Sequence, residues 1–260
     1  MVEYIELTGN PRHDKLISLV MSKGYISNEE LAKILNVTPQ TIRRDIRQLS
    51  DAGIVSRHHG GAGRISSLMN TEFSKRETAY TEEKTIIANE VANFIPDGAT
   101  LFITMGTSVE FVAKALKNKN NLRVITNSIR VANILYQNKG FEVITLGGIL
   151  HSHNGGIVGP SALLLVSSFR ADYFITSLGA VDYDGVLLDV DINEVAVVKA
   201  MIEHSRNFIL IGDHTKFHSS AAVEIGNLKQ VSTFITDSKP PASIIKILKE
   251  NKVKLRIAKK

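Results

Sequence analysis

Residues 37–49 read VTPQTIRRDIRQL. Thr38 is a good helix N-cap, and Pro39 suits the first helical position, where no backbone N–H is needed. At 100° per residue, Ile42, Ile46 and Leu49 gather on one side of the predicted helix. Gln40, Arg43, Arg44 and Arg47 fall within about 100° of one another on the other side. The apolar side can seat the helix and the basic side can then project rigidly. What precedes the helix decides what the basic stripe is for.

Upstream, Leu16, Ile17, Leu19 and Val20 give an amphipathic helix that Lys23-Gly24 ends. Ser27-Asn28-Glu29-Glu30 reads as a capping box opening a second helix with Leu31, Ile34 and Leu35 inward. Asn36-Val37 is a tight turn into the third helix, and Gly53 is expected to cap its end. Two helices joined by a short turn, the second carrying the basic stripe, make a helix-turn-helix. Its second helix can enter the DNA major groove, where Gln40 can pair with adenine and Arg43 or Arg44 with guanine. Each such pair is worth ~1–3 kcal/mol of discrimination between bases. Thr38, Thr41 and the helix start suit phosphate, which positions without reading sequence. Ile54 to Arg57 reads as a strand running into the turn His58-His59-Gly60-Gly61, a wing that sets Arg57 and His58 on the DNA backbone. A merely solvated helix face is the alternative, and the helix-turn-helix context outweighs it.

The rest of the composition narrows the class. The chain has 260 residues, 43% hydrophobic and 22% charged, as in globular proteins. It has no cysteine, which excludes disulfides and cysteine-ligated metals and fits a reducing cytoplasm. No apolar run reaches the roughly 18–20 residues of a membrane span, and the first 15 residues lack the apolar core of a signal peptide. The net charge is +5, and residues 38–64 hold five arginines against Asp45 and Asp51. More than half of the excess thus lies in a tenth of the chain, which points to a localised anionic partner, double-stranded operator DNA.

Residues 1–62 are therefore expected to form a winged helix-turn-helix domain. Residues 63–80 lose clear periodicity and are expected to be a linker. From 81 the pattern changes: TEEKTIIANEVANFIP is an amphipathic helix, and short apolar strands then alternate with helices of about ten residues. That rhythm predicts an α/β domain over 81–260 with a largely parallel, Rossmann-like sheet. Open sheets of this kind bind ligands at their strand ends. The best candidate there is Met105-Gly106-Thr107-Ser108, whose backbone N–H groups and hydroxyls favour an anion. Thr126-Asn127-Ser128, Gly147-Gly148 and Lys216 are further candidates. His151-Ser-His153 and His214…His218 lack cysteine or clear acidic companions, so they are expected to be polar loops, with no metal and no cofactor.

TPQTIRRDIRQL followed by IVSRHHGGA resembles the N-terminal signature of the DeoR family of bacterial transcriptional regulators. TEEKTIIANEVANFIPDGATLFI, GTSVEFVAKAL, LRVITNSIRVANIL, GGIL and DHTKF follow in the order found in that family, so the resemblance runs from about residue 12 to 240. It implies a C-terminal domain similar in fold to ribose-5-phosphate isomerase, sensing a phosphorylated sugar or polyol such as glycerol 3-phosphate. It implies a repressor released from DNA by that effector, and because one short head covers too little DNA for high specificity, a homodimer or homotetramer on repeated half-sites is expected. By position, Gly106, Thr107, Ser108, Asn127, Gly147, Gly148, Glu194 and Lys216 would line the pocket. Two positions depart from the family pattern: Thr104 stands for an Asp, and Val198 for a Lys, with Lys199 beside it. Both bear on which effector binds. They also weaken the competing reading, a sugar-phosphate isomerase carrying a DNA-binding head, because such chemistry needs a placed carboxylate base and a charge to stabilise an enediolate.

Overall fold

The computed structural model describes residues 10–52, 54–58, 60–63 and 73–259. The expected cap at Gly53, and His59 of the wing turn, lie outside the described residues. Helix α1 (Pro11–Lys23) starts at Asn10, whose side chain accepts the Arg12 N–H, and ends where the Gly24 N–H returns to the Val20 carbonyl. A short strand β1 (Tyr25–Ser27) follows, unannounced by any alternation in the sequence. The Ser27 hydroxyl then accepts the Glu30 N–H to open α2 (Asn28–Leu35). The expected capping box is thus half made, because the Glu30 carboxylate takes the Lys23 ammonium. Asn36, in left-handed conformation, turns the chain into α3 (Pro39–Asp51), capped by Thr38 as predicted. Strands β2 (Ser56–His58) and β3 (Gly61–Gly63) pair antiparallel, and β1 adds to β3, giving a three-stranded wing.

Leu16, Ile17, Val20, Ile26, Leu31, Ile42, Ile46 and Leu49 form the core of this head. One charged group lies inside the packing. Asp45, on the inner side of α3 and 1% exposed, accepts the Arg12 guanidinium at 2.6 and 3.0 Å, with His13 Nε2 3.3 Å away. Burial by itself raises the Asp45 carboxyl, but the Arg12 hydrogen bonds, with the nearby His13 imidazole, outweigh it and hold the pKa below the ordinary range. Helix α3 is therefore tied to α1 by an ion pair as well as by its apolar face.

Helix α4 (Phe73–Thr78) occupies part of the segment expected to be linker, and α5 (Thr81–Phe94) leads into the body. There β4 (Thr100–Ile103), α6 (Thr107–Leu116), β5 (Arg123–Thr126), α7 (Ile129–Leu135) and β6 (Glu142–Thr145) alternate as expected. A hairpin of β7 (Ile149–Leu150) and β8 (Ile157–Val158) precedes α8 (Pro160–Ser167). Next come β9 (Ala171–Thr176), β10 (Ala180–Val181), β11 (Val186–Asp189) and α9 (Ile192–Glu203). The chain ends with β12 (Ser205–Ile211), β13 (Val223–Asn227), β14 (Thr233–Thr236), α10 (Ala242–Glu250) and β15 (Lys254–Ile257).

Seven strands form one parallel sheet in the order β15-β14-β12-β9-β4-β5-β6, and β10, β11 and β13 form a small antiparallel sheet. Residues alternate between two cores. Leu101 and Ile103 meet Ile87, Val91, Val109 and Val131 on one face; Phe102 and Phe174 meet Val166, Val198 and Met201 on the other. The chain leaves β4 toward β5 and β6, then returns to β9 on the opposite side. The strand order reverses between β4 and β9, and at such a point the loops leaving two neighbouring strands part and open a crevice. Tyr183, from the β10–β11 turn, packs against the core of the head. Among the described residues no helix is long and apolar enough to cross a membrane.

Replacing Asp45 by Ala should destabilise the head, by less than the ~3–5 kcal/mol of breaking a fully buried pair because Arg12 is partly solvated. The pair contributes at pH values above the unfolded carboxyl pKa of ~3.9 and is lost as pH falls through the lower folded value. Urea melts of wild type and Asp45→Ala should therefore differ at pH 7 and converge in acid. Equal melts at pH 7 would contradict the pairing.

Candidate functional site

Two concave surfaces gather the residues singled out from the sequence. The first is an open groove of about 920 Å³ between α3 and the wing. Gln40, Thr41, Arg43, Arg44 and Arg47 line one side, and Arg57 and His58 line the other. Gln40, Arg43, Arg44 and Arg47 are exposed, while Ile42, Ile46 and Leu49 are buried, as the helical spacing requires. Thr38 lies outside the groove lining and caps the helix, its hydroxyl 3.2 Å from the Thr41 nitrogen. His58 packs edge-on against Tyr25 at 5.9 Å between ring centres, which steadies the wing. Asn28 and Glu29, at the start of α2, also line the groove. Sequence reading passed over them, since their part there depends on how α2 crosses α3.

The second surface is a cavity of about 350 Å³ at the β4/β9 reversal. Met105 to Ser108 line it from the end of β4, and Ser177 to Gly179 from the end of β9. Gly106 has φ 130° and ψ 152°, a conformation side chains resist, and it starts α6 with its N–H groups at the cavity. Glu194 and Lys216 line the cavity too. Asn127, Gly147 and Gly148 do not. Asn127 is fully buried behind the wall, donating to the Ile157 carbonyl at 3.4 Å and to Met105 Sδ at 3.6 Å. Gly148 serves a close approach, since a Cβ there would sit 2.3 Å from the Val158 carbonyl oxygen.

The two departures from the family pattern have structural explanations. Thr104 is buried and its hydroxyl is 2.8 Å from that of Thr176, bridging β4 and β9 where the strand order reverses. Val198 is 4% exposed in the body's core, and Lys199 is exposed and does not line the cavity. Positive charge reaches the cavity from other elements. Lys84 of α5 is 4% exposed and donates to the Ala79 carbonyl at 2.7 Å and to the Arg76 carbonyl, both at the end of α4. Burial lowers its pKa to about 8, with Asp213 partly offsetting that. Arg76 lines the cavity with its Nε buried and without a hydrogen-bond partner among the described residues.

Carboxylates converge there as well. Burial raises the Asp189 carboxyl, whereas Asp213, although also buried, is held low by Lys216 and by hydrogen bonds from Thr215. Arg130 fastens α4 from outside, pairing with Glu77 and, at 2.7 Å, with Glu110, and stacking over Phe73 with its guanidinium 4.8 Å from the ring centre. One expectation is corrected: both histidine pairs have an acidic companion, Asp237 Oδ2 lying 2.7 Å from His214 Nδ1 and Glu194 standing beside His151 and His153. Glu194 Oε1 lies 2.9 Å from His151 Nδ1 and 3.8 Å from His153 Nε2.

Two family models match the chain. Residues 12–68 match the DeoR-like helix-turn-helix domain, and residues 79–238 match the DeoR C terminal sensor domain. The chain is 57% identical to the HTH-type transcriptional repressor CsqR of Escherichia coli, over 96% of each chain. It is 44% identical to the glycerol-3-phosphate regulon repressor of the same organism, over 95% of this chain and 98% of that one. RRDIRQL…RHHGGA and TNSIRVAN resemble this second repressor. Ribose 5-phosphate isomerase A from Neisseria gonorrhoeae superposes with a TM-score of 0.39 and 17% identity, over 52% of this chain and 53% of that one.

Because Lys84 holds the carbonyls that end α4, Lys84→Met should loosen that helix. Amide exchange of residues 73–80 should accelerate while the central strands stay protected. Unchanged exchange there would contradict the capping role.

Proposed function

The chain belongs to the DeoR family, and from that premise we propose that it is a transcriptional repressor which leaves operator DNA when a phosphorylated polyol or sugar, such as glycerol 3-phosphate, enters the cavity. The observation that carries this reading is the mixture of charges at the β4/β9 reversal. Arg76, Lys84 and Lys216 suit an anionic phosphate, as do the N–H groups at Gly106. Asp189 and Glu194 are acceptors for hydroxyls, which a polyol phosphate also carries.

Release follows from Lys84. Without ligand its ammonium ends α4 by holding two carbonyls. A phosphate competes for the same ammonium and offers Arg76 Nε a partner. Helix α4 then loses its anchor, and it stands directly before the body on the path from the wing. Ligand shifts the equilibrium by its differential affinity for the two arrangements, which is the thermodynamic requirement for coupling. Recognition of DNA rests on Gln40, Arg43 and Arg44 reading bases. Thr38, Thr41, Arg47, Arg57 and His58 position the backbone.

A single head covers little DNA, so paired heads on half-sites ~34 Å apart, or multiples of that, are expected. Exposed Ile149 and Leu150 on β7, Leu164 on α8 and Ile192 at the start of α9 support self-association as a homodimer or homotetramer. The isomerase alternative is not favoured. Thr104 is spent on Thr176 and Val198 on the core, and the family's helix-turn-helix makes the chain a regulator.

Arg43→Ala or Arg44→Ala should each weaken operator binding by ~1–3 kcal/mol with the circular dichroism unchanged. Unaltered affinity in a gel-shift titration would remove α3 as the reading helix. Ligand binding should also depend on pH in a defined direction. A phosphate monoester gains its second charge above ~6, and Lys84 keeps its charge below about 8. Calorimetry with glycerol 3-phosphate should find the tightest binding between these limits and weaker binding on both sides. A profile that keeps rising beyond pH 9 would exclude Lys84 from the phosphate contact.

A further inference from the structure

The turn after β7 carries His151 and His153, and the first turn of α9 carries Glu194, 43 and 41 residues later in the chain. The fold brings them to one point. A donor atom from each of the three lies within 4.8 Å of the others, and the two imidazole rings are 5.3 Å apart with a tilt of 30°. We propose that His151, His153 and Glu194 form a binding site for a divalent transition-metal ion at the rim of the effector cavity. The proposal concerns the ion that this cavity holds, and its effect on ligand affinity rests on the phosphorylated-effector reading above.

Donor chemistry and spacing both support it. Two imidazole nitrogens and one carboxylate oxygen are a ligand set for zinc and its neighbours that leaves a coordination position open. A tetrahedral ion with bonds of ~2.0–2.1 Å separates its donors by about 3.3 Å. The Glu194 oxygen is 2.9 Å from His151 and 3.8 Å from His153, so shifts of about half an ångström satisfy both.

The carboxylate is also held in place from the side. Asn154 Nδ2 donates to Glu194 Oε1 at 2.8 Å, while Asn154 Oδ1 accepts the Gly156 N–H at 2.9 Å. Outer partners of this kind orient the carboxylates that ligate metals. Exposure gives the direction of the open position. The His151 and Glu194 side chains are 18% and 14% exposed, whereas that of His153 is 53% exposed. His153, Asn154 and Glu194 line the cavity, and His151 does not. An ion bound by the three therefore has its remaining positions toward the cavity, where a phosphate or hydroxyl oxygen of the ligand can complete its shell. Glu194 then meets the ligand through the ion.

The test uses tag-free full-length protein stripped with chelator, titrated calorimetrically with Zn²⁺ alone and, in separate runs, with Mn²⁺ and Ni²⁺. At least one of these ions should bind at one equivalent per chain. His153→Gln, at an exposed position, should weaken that binding tenfold or more with unchanged circular dichroism, and Glu194→Gln should abolish it. His204→Gln, on a histidine away from the cluster, should leave it unaltered. No binding of any of the three, or equal binding by wild type and His153→Gln, overturns the site. Glycerol 3-phosphate should then bind at least tenfold more tightly to the ion-loaded protein than to the stripped protein. Equal affinity overturns the open position facing the ligand. Ion binding without any binding of glycerol 3-phosphate or sugar phosphates would count against the effector reading and leave the metal site standing.

Discussion

One ammonium group, that of Lys84, holds the end of α4 at the edge of the cavity. It is buried on α5 and has no carboxylate within hydrogen-bonding distance among the described residues; its bonds go to the carbonyls that end α4. Helix C-termini leave carbonyls without intrahelical partners, and a cation there is favoured both by hydrogen bonding and by the helix dipole. A six-residue helix has little cooperative stability of its own, so its persistence depends on such external ties. Arg130 supplies further ties, through Glu77 and Phe73. In the proposed function, the order of α4 follows the occupancy of the cavity that Lys84 lines.

The cavity's position follows from topology. Thr104 and Thr176 sit at the ends of the two strands where the order reverses, and their hydroxyl pair closes the sheet beneath the opening. Above it, the loops leaving β4 and β9 diverge and expose backbone N–H groups, while side chains from α4, α5 and the segment after β12 contribute charge. Burial works differently on these groups. It draws the lysine down toward neutrality and the Asp189 carboxyl up, whereas Asp213 stays ionised because Lys216 and Thr215 compensate it. A site so balanced gains from a ligand that brings both negative charge and hydroxyls.

Much of this was legible from the chain alone, and the parts that were not share a cause. Thr38, Pro39 and the 3.6-residue spacing of Ile42, Ile46 and Leu49 fix α3 locally, so its basic face could be read without knowing its neighbours. The strand-helix alternation likewise gave the parallel sheet, and the glycine and hydroxyls at 106–108 marked a strand end. Lys84, in TEEK, reads as the solvated start of an amphipathic helix; its burial depends on α4, which sequence periodicity did not announce. Asp45 reads only as an acid offsetting the arginines around it, and the packing of α1 against α3 gives it Arg12. Asn127, Gly147 and Gly148 sit at strand ends as expected, yet none of them lines the cavity: Asn127 is buried behind it and Gly148 approaches Val158. Glu194 meets His151 across 43 residues, a proximity that spacing in the chain cannot reveal.

The central claim is that Lys84 couples the cavity to the head, and the most direct measurement is the operator affinity of Lys84→Met without ligand. Fluorescence anisotropy on a duplex selected by the wild-type protein would compare the variant with wild type before and after addition of glycerol 3-phosphate. If Lys84 holds α4 for DNA binding, the variant alone should bind as weakly as ligand-saturated wild type and respond no further to ligand. A variant that binds the duplex tightly and releases it with ligand as wild type does would contradict the account.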